Sequence, residues 1–333
     1  MTGTKWAAQT AEPLEYVADL IDIAGTHPER RTLTDPHVAA KVVADETRSR
    51  IEAVLREIAG TPVVLLSGGV DSILVAAVAI QLGVRPHAIT IVTDGDSDGA
   101  PAAAAAAALG LQHDVVRLTI EDVGHMAREV MRRLGTSELW EVTAGIPLFA
   151  ARRILDQVTD VGPILTGSGA DAIFGGGRRL THPINSPAAR DELDRLIRTE
   201  SASNFKYQRL IPDFYPTLLD GYADRLVHVF QTVRWWQAVE NFAPSALFGD
   251  HDGQLADKLA VRIACAELLP AAAKNLAWNA KSAIQRSSGL MGVLASSARR
   301  FAADLPGAQT YTDPMTEDPE AVATRLYLAL LHG

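Results

Sequence analysis

Two glycine-rich segments carry the residues of this chain that could bind and split a nucleotide. The first, Ser67-Gly68-Gly69-Val70-Asp71-Ser72, follows the apolar run 63–66, and the second, Gly167-Ser168-Gly169-Ala170-Asp171, follows the run 163–166. Glycines let a backbone approach a ligand closely and expose its N–H groups to phosphate oxygens. The helix predicted after the first loop directs its positive end to the same place. Each loop also carries one carboxylate, so the pair predicts a phosphate site with a metal ion.

The first loop is not the lysine-containing phosphate loop G-x-x-x-x-G-K-[ST], which occurs nowhere in the chain. Its Ser-Gly-Gly-x-Asp-Ser order is similar to the PP-loop of ATP pyrophosphatases, which cleave ATP between the α and β phosphates. The purely structural alternative is an ordinary strand–turn–helix corner, but such a corner needs only one glycine. The second loop by itself also fits a dinucleotide fingerprint, although it follows the fourth predicted strand instead of the first.

Strands and helices alternate around the two loops. Strands are predicted at 63–66, 87–92, 114–118 and 163–166, and helices at 36–59, 71–82, 101–109, 121–134 and 147–158. This alternation predicts an α/β fold: a parallel five-stranded sheet with helices on both faces, PP-loop/HUP-like, extended by a C-terminal helical part. Ligands of such sheets bind at the carboxyl ends of the strands. We therefore expect the two loops to face each other across one crevice.

The rest of the chain is predicted to be helical, over 14–23, 218–242, 254–269 and 319–331. The predicted organisation is an N-terminal segment, 1–35, a main domain, 36–292, and a C-terminal helical extension, 293–333. Within the main domain, 63–177 form the α/β core and 205–292 the helical part, which packs on the sheet.

An acidic turn follows the second predicted strand. Asp94, Asp96 and Asp98 stand two residues apart, as at the start of an EF-hand loop, but Ala105 occupies the twelfth position, where a calcium loop needs glutamate. Two interpretations stay open: a solvated loop that caps the next helix, or a segment that closes over the nucleotide.

Composition restricts the class of protein. The 333 residues are 47% hydrophobic, as in a packed globular protein. The net charge of −9 argues against a nucleic-acid partner, because binding to a phosphate backbone needs a basic face. No apolar run approaches the ~18 residues of a membrane span, so no membrane partner is expected. Residues 1–13 lack the long apolar core of a secretion signal. Cys265 is the only cysteine, which excludes an intramolecular disulfide and favours a cytoplasmic location.

The two loops together resemble the synthetase domain of asparagine synthetases and of their relatives, the β-lactam synthetases and lasso-peptide cyclases, over about 36–292. The segment 65–72 matches the first family motif, and 166–171 is similar to the second, Ser-Gly-Glu-Gly-Ser/Ala-Asp-Glu. The resemblance implies an ATP-dependent ligase that forms AMP and pyrophosphate, adenylates a carboxylate and transfers the acyl group to an amine to make an amide. It implies ATP and Mg²⁺ as cofactors.

The resemblance also implies a role for each matching residue. Asp71 and Asp171 would hold Mg²⁺. Lys281, before the loop Ser287-Ser288-Gly289, would stabilise negative charge on the pyrophosphate and the tetrahedral intermediate. Ser168 and Glu240 would complete the catalytic set. The implied ATP-binding residues are Leu66, Ser67, Gly68, Gly69, Asp71, Ser72, Ile91, Thr166 and Gly167.

Three departures from the family pattern affect the acceptor side. Thr2 follows Met1 where the family's glutaminase half has its nucleophilic cysteine, so we expect no release of ammonia from glutamine within this chain. Ser168 replaces a Glu or Tyr, and a serine hydroxyl is a poor base without help. Either Glu240 accepts the proton or the nucleophile arrives as a free amine. Ala172 replaces the usual acid. The ATP half looks intact and the acceptor half altered, which favours specialised metabolism.

The expected partners are small-molecule or peptide carboxylate and amine substrates. A separate glutaminase or carrier protein could supply one of them, and assembly as a homo-oligomer is left open. Two alternative functions also stay open: a PP-loop enzyme that thiolates or aminates a nucleic-acid base, and a nucleotide-binding partner without turnover.

Overall fold

The computed structural model describes residues 26–204, 211, 213–279 and 284–332, so the helix predicted at 14–23 lies outside the described residues. Among the residues it describes, no helix is both long and apolar enough to cross a membrane.

A five-stranded parallel sheet lies at the centre of the protein, as predicted. Its strands are β1 (Thr61–Leu65), β2 (His87–Thr93), β3 (His113–Leu118), β4 (Val161–Thr166) and β5 (Leu226–His228). The spatial order is β3-β2-β1-β4-β5. Chain progression reverses between β1 and β4, which pair directly through Val64 and Leu165. A ligand crevice is expected at such a reversal, beyond the carboxyl ends of the strands.

Helices cover both faces of the sheet. Their bounds are α1 (Pro36–Glu57), α2 (Val70–Gln81), α3 (Gly99–Leu109), α4 (Ile120–Leu134), α5 (Leu139–Leu155), α6 (Ala170–Phe174), α7 (Pro187–Asn204), α8 (Phe214–Leu219), α9 (Val233–Val239), α10 (Pro244–Leu247), α11 (Leu259–Leu268), α12 (Ile284–Ser287), α13 (Leu290–Ala303) and α14 (Pro319–His332). Short 3₁₀ segments occur at Pro28–Arg30, Asp220–Arg225 and Ala271–Trp278.

The sheet separates two apolar cores, because successive side chains of a strand point to opposite faces. On β1, Val64 packs with α1, α2, α3 and α11 on one face. Its neighbour Val63 packs with α4, α5, α8 and α13 on the other. Both residues are fully buried. The near-continuous apolar sequence of these strands therefore reflects burial on both sides.

Local sequence explains where several helices begin and end. The carboxylate of Asp35 accepts the amide hydrogen of His37 at 2.8 Å and caps α1, as predicted, with Pro36 at the first position. The alanine-rich α3 ends at Gly110, which has a positive φ. Helix α5 begins eight residues before its predicted start at Pro147, because Glu138 caps it by accepting the amide hydrogen of Glu141 at 2.7 Å.

In the C-terminal half, the prediction of a single helix over 218–242 is wrong, and that of a helix over 254–269 is correct only from Leu259 onward. The range predicted as one helix, 218–242, contains β5, which pairs with β4 through Val227 and Leu165. Within that range, α9 is the α-helix that both begins and ends there, and Thr232 caps it. The first part of 254–269 belongs to a hairpin, β6 (Gly249–His251) with β7 (Gln254–Ala256). Short apolar runs fit either a helix or a strand, and pairing with the open edge of β4 selects the strand.

Candidate functional site

The first glycine loop is shaped by its own two serines. The Ser67 amide donates to Ser72 Oγ at 3.1 Å, and the Ser72 hydroxyl donates to the Ser67 carbonyl at 2.9 Å. Gly68 lies against the acidic turn, where an added Cβ would stand 2.9 Å from the carbonyl oxygen of Asp98. The Ser72 hydroxyl therefore holds the loop shape, and its role as a phosphate donor stays a prediction.

The second loop approaches the first within atomic contact. A Cβ added to Gly167 would stand 2.8 Å from both Asp71 Cβ and the Ser72 amide nitrogen. Real Cβ atoms do not come this close to backbone, so the contact requires glycine at this position. The expectation that the two loops face each other at the carboxyl ends of adjacent strands is thus confirmed.

Asp71 and Asp171 converge on the side chain of Lys258, which the sequence prediction missed. Lys258 Nζ donates to both carboxylate oxygens of Asp71 at 2.9 Å and to Asp171 Oδ1 at 2.7 Å. The side chains of Lys258 and Asp71 are 3% and 2% exposed, whereas that of Asp171 is 58% exposed. Two carboxylates from different loops therefore share one cation position, and their role as Mg²⁺ ligands stays a prediction.

The charges around Lys258 determine its protonation. Burial by itself would lower the pKa of the ammonium group, but the carboxylates of Asp71 and Asp171 outweigh burial and raise the pKa above its usual value. The side chain is therefore a permanent cation at neutral pH in the folded protein.

The backbone of Lys258 is fixed by its neighbours. Lys258 has a positive φ of 50° and directly precedes α11. Asp257 Oδ2 accepts the Gly177 amide hydrogen at 2.5 Å, and its Oδ1 accepts from Arg262 Nη2 at 2.8 Å. These contacts join the glycine cluster after Asp171 to the start of α11. A signal existed in the sequence: Lys258 and Arg262 are the charged residues at the start of an otherwise apolar run.

Lys281 lies outside the described residues, but the chain on each side of it is anchored. On the N-terminal side, Arg262 Nη1 donates to the carbonyl oxygens of Ala277 at 2.9 Å and Asn279 at 3.1 Å. On the C-terminal side, the Thr93 amide donates to the Ser288 carbonyl at 2.8 Å. That second anchor attaches the chain to the carboxyl end of β2, which belongs to the edge where ligands of such sheets bind. The catalytic role of Lys281 stays a prediction.

The acidic turn supports the start of the next helix, as the first interpretation proposed, and its closure over the nucleotide stays a prediction. Asp96 accepts the Gly99 amide hydrogen at 2.6 Å and so supports the start of α3. Asp98 is buried and accepts the Ser287 hydroxyl hydrogen at 2.7 Å. Gly289 packs against Thr93, where a side chain would collide with the threonine hydroxyl. The turn is therefore a docking surface for the segment 287–289 that follows Lys281.

Arg262→Lys is expected to lower the free energy of unfolding by about 2–3 kcal/mol, because lysine cannot reproduce the forked contacts to Asp257 and the two carbonyls. Urea denaturation measures the change. The control Arg300→Lys, at an exposed position, should stay within about 0.5 kcal/mol. Equal stability of the two variants would contradict the anchoring role of Arg262.

Two sets of polar side-chain contacts lie at the second loop. Gln231 Nε2 donates to Ser168 Oγ at 3.0 Å. Thr166 Oγ1 lies 2.8 Å from His228 Nδ1, and His228 Nε2 lies 2.9 Å from the Tyr215 hydroxyl. His228 and Gln231 lie in the range 218–242 that was predicted as one helix, whereas Tyr215 lies on α8, before that range. The structure thus places the Gln231 amide on Ser168, and the His228 imidazole, backed by the Tyr215 hydroxyl, on Thr166.

Glu240 makes its described contacts away from the loops. Its Oε1 accepts from Arg30 Nη1 at 2.9 Å and lies 3.8 Å from Arg198 Nη2. Arg198 in turn binds Asp194 at 2.9 Å. The structure therefore brings Glu240 together with arginines, and its role as proton acceptor for Ser168 stays a prediction.

The two apolar residues predicted to line the nucleotide belong to the cores. Leu66 packs in the same core as Val64, and Thr90 Oγ1 donates to the Leu66 carbonyl at 2.6 Å. Ile91 packs in the opposite core, at the edge of burial. Their predicted contact with ATP stays a prediction.

The fold and the paired loops define the class of the protein. A parallel sheet in the order 3-2-1-4-5, with an S-G-G-x-D-S loop after its central strand, is the PP-loop architecture. The model of the asparagine synthase family matches residues 52–253, which is more than half of the chain. The chain therefore belongs to the asparagine synthase family.

Individual relatives match part of this region. "Asparagine synthetase [glutamine-hydrolyzing] 3" of Arabidopsis thaliana is 33% identical over 145 residues, which cover 40% of this chain and 25% of that protein. A probable asparagine synthetase of Acanthamoeba polyphaga mimivirus is 30% identical over 137 residues, with the same coverage. The chain thus spans about a quarter of the length of these relatives. The solved structure of a glutamine-dependent NAD+ synthetase from Acinetobacter baumannii is similar over 87% of this chain and 43% of its own, at 14% identity and a TM-score of 0.32.

Proposed function

We propose that this protein is an ATP-dependent, AMP- and pyrophosphate-forming ligase that adenylates a carboxylate and transfers the acyl group to an amine, giving an amide. One observation carries the proposal: Asp71 and Asp171, from the loops after β1 and β4, reach the same cation position. Two glycine loops supply amides to phosphate oxygens around that position. Family membership supports the same reaction class.

The residues of the first half-reaction have separate tasks. Asp71 and Asp171 would hold Mg²⁺, which offsets negative charge on the departing pyrophosphate when it is bound. ATP supplies the adenylyl group. A carboxylate oxygen of the acid attacks the α-phosphorus, the bond from that phosphorus to the bridging oxygen breaks, and pyrophosphate leaves. Lys258 and Lys281 would supply the positive charges that face this leaving group.

The second half-reaction takes place on the acceptor side. The amine nitrogen attacks the acyl carbon, the nitrogen gives a proton to a base, and the carbon–oxygen bond to AMP breaks. The Ser168 hydroxyl accepts a hydrogen bond from Gln231, which makes it a polar contact for an acceptor rather than a base. This difference from the family pattern supports an acid and amine of specialised metabolism. A carrier protein or a separate glutaminase would be a fitting source of one substrate.

No observation favours thiolation of a nucleic-acid base. That chemistry needs an accessible, ionisable thiol. Cys265 is fully buried on α11, and burial raises the pKa of its thiol. It is therefore an inert core residue.

A substrate screen tests the proposed function. The protein is incubated with ATP, Mg²⁺, hydroxylamine as the amine and a panel of amino acids, hydroxy acids and short peptides as the acids. We expect AMP and pyrophosphate in equal amounts, together with a hydroxamate of at least one acid.

Lys281→Met should keep nucleotide binding and lose about 10²- to 10³-fold in the rate of AMP formation, since it removes one cation aimed at developing charge.

Three outcomes would contradict the proposal. The first is formation of ADP and phosphate in place of AMP and pyrophosphate. The second is AMP formation that no added acid increases. The third is full activity of an Asp171→Asn variant, because the proposed metal site needs both carboxylates.

A further inference from the structure

Lys258 uses its whole hydrogen-bonding capacity on the two carboxylates. An ammonium group has three N–H donors and no acceptor. Asp71 Oδ1, Asp71 Oδ2 and Asp171 Oδ1 lie at 2.9, 2.9 and 2.7 Å from Nζ. A phosphate oxygen can bind this ammonium only if one carboxylate contact is given up.

The position of the ammonium coincides with the position that a metal ion would need. Mg²⁺ binds carboxylate oxygens at 2.0–2.1 Å and demands near-ideal geometry. A metal ion held by the same three oxygens that contact Nζ would therefore lie close to the position of Nζ. A divalent ion and an ammonium in this low-dielectric position would repel each other strongly. Lysine and metal consequently exclude one another as long as only the two carboxylates are present.

The surroundings show which of the contacts can open. Asp71 is buried on α2, and the backbone of Lys258 is fixed through Asp257 and its contact to Gly177. Asp171, by contrast, has 58% of its side chain exposed. Asp171 is therefore the carboxylate of the two that solvent reaches, and its contact to Lys258 is the one that an incoming anion can replace.

We propose that Lys258 is an internal cation that keeps divalent metal out of the Asp71–Asp171 pair until nucleotide phosphates arrive. Phosphate oxygens take over a donor of Lys258, which frees the Asp171 carboxylate for the metal and adds oxygen ligands to it. Metal and nucleotide then bind together. The charges of Asp71, Asp171 and Lys258 each keep an opposite charge beside them throughout. The inference rests on the proposed function only for the identity of the site, since it concerns binding and not turnover.

Binding of Mn²⁺ in place of Mg²⁺, followed by electron paramagnetic resonance, tests the inference without any acid substrate. The signal of free Mn²⁺ is measured with the wild-type protein, alone and with the α,β-methylene analogue of ATP, which cannot be cleaved between the α and β phosphates. Samples with analogue alone give the Mn²⁺ that the nucleotide itself binds. We expect wild-type protein to take up Mn²⁺ only with the analogue. Stoichiometric uptake without nucleotide would overturn the inference.

The variant Lys258→Met supplies the converse result. It removes the ammonium and keeps a side chain of similar length, so Mn²⁺ should bind without nucleotide at least tenfold more tightly than to wild type. Added MgCl₂ should also raise the melting temperature of this variant and leave that of wild type unchanged, because a ligand that binds only the folded state stabilises it. A folded variant that takes up no Mn²⁺ without nucleotide would overturn the inference. If the variant does not fold, the wild-type measurement decides.

The same measurements separate this inference from the proposed function. A protein that forms ADP in the substrate screen but shows nucleotide-dependent uptake of Mn²⁺ has the lysine exclusion without the proposed reaction. A protein that forms AMP and takes up Mn²⁺ without nucleotide has the reaction without the exclusion.

Discussion

Asp71→Asn is expected to abolish AMP formation and to lower the free energy of unfolding by about 3 kcal/mol. Asp71 is buried and accepts two hydrogen bonds from Lys258. Removal of one partner from a buried ion pair leaves an uncompensated charge, which costs about 3–5 kcal/mol. We expect the lower end of this range, because Asp171 still pairs with Lys258. The activity falls for a different reason, since one of the two proposed metal ligands is lost.

Two further variants separate these effects. Asp171→Asn should lose activity to a similar extent but cost less than about 1 kcal/mol in stability, because its exposed carboxylate is screened by water. The double variant Asp71→Asn/Lys258→Met should recover part of the stability and none of the activity, since it also removes the buried ammonium, which Asp171 alone compensates only in part. Urea denaturation and the AMP assay measure the two properties. Retention of AMP formation by Asp71→Asn would contradict the site.

Gly167→Ala is expected to lower the specificity constant for ATP by about 10²-fold or more. The added Cβ would stand 2.8 Å from Asp71 Cβ and from the Ser72 amide nitrogen. Both atoms are held in place by the backbone and cannot rotate away as the end of a flexible side chain could, so the loops after β1 and β4 must move apart. A displacement near 1 Å within a catalytic site costs about 10²-fold in rate. Overpacking should also lower the free energy of unfolding by about 1–3 kcal/mol.

Gly124→Ala is the matched control. Gly124 lies within α4, and an added Cβ there has no neighbour within 4 Å. Alanine in a helix should therefore raise stability by about 0.5–1 kcal/mol and leave activity unchanged. Steady-state kinetics with varied ATP compares the two variants. The contact between the loops would be refuted if Gly167→Ala kept the wild-type specificity constant.

The α/β half of the fold could be predicted because its signals are local. A glycine loop after an apolar strand, a proline after a capping aspartate and an alanine-rich helix each act within a few residues. For this reason β1 to β4 and their helices lie within a few residues of their predicted bounds, apart from the early start of α5. The fifth strand could not be placed in the same way. Only three residues, Leu226–His228, pair with β4, and a run this short has no period of its own.

The candidate site likewise has residues that local sequence predicts and residues that only the tertiary structure brings together. The sequence by itself determined the two loops and the carboxylates Asp71 and Asp171, because the spacing of glycine, serine and aspartate within each loop is enough to indicate phosphate and metal binding. The tertiary structure alone decided what lies between them. Lys258 is 187 residues from Asp71 and 87 from Asp171, and no local pattern connects residues so far apart. Their contact depends on β1 lying beside β4 and on α11 packing against α1 and α2. The physical reason is that a buried ammonium is stable only where folding gathers enough negative charge around it.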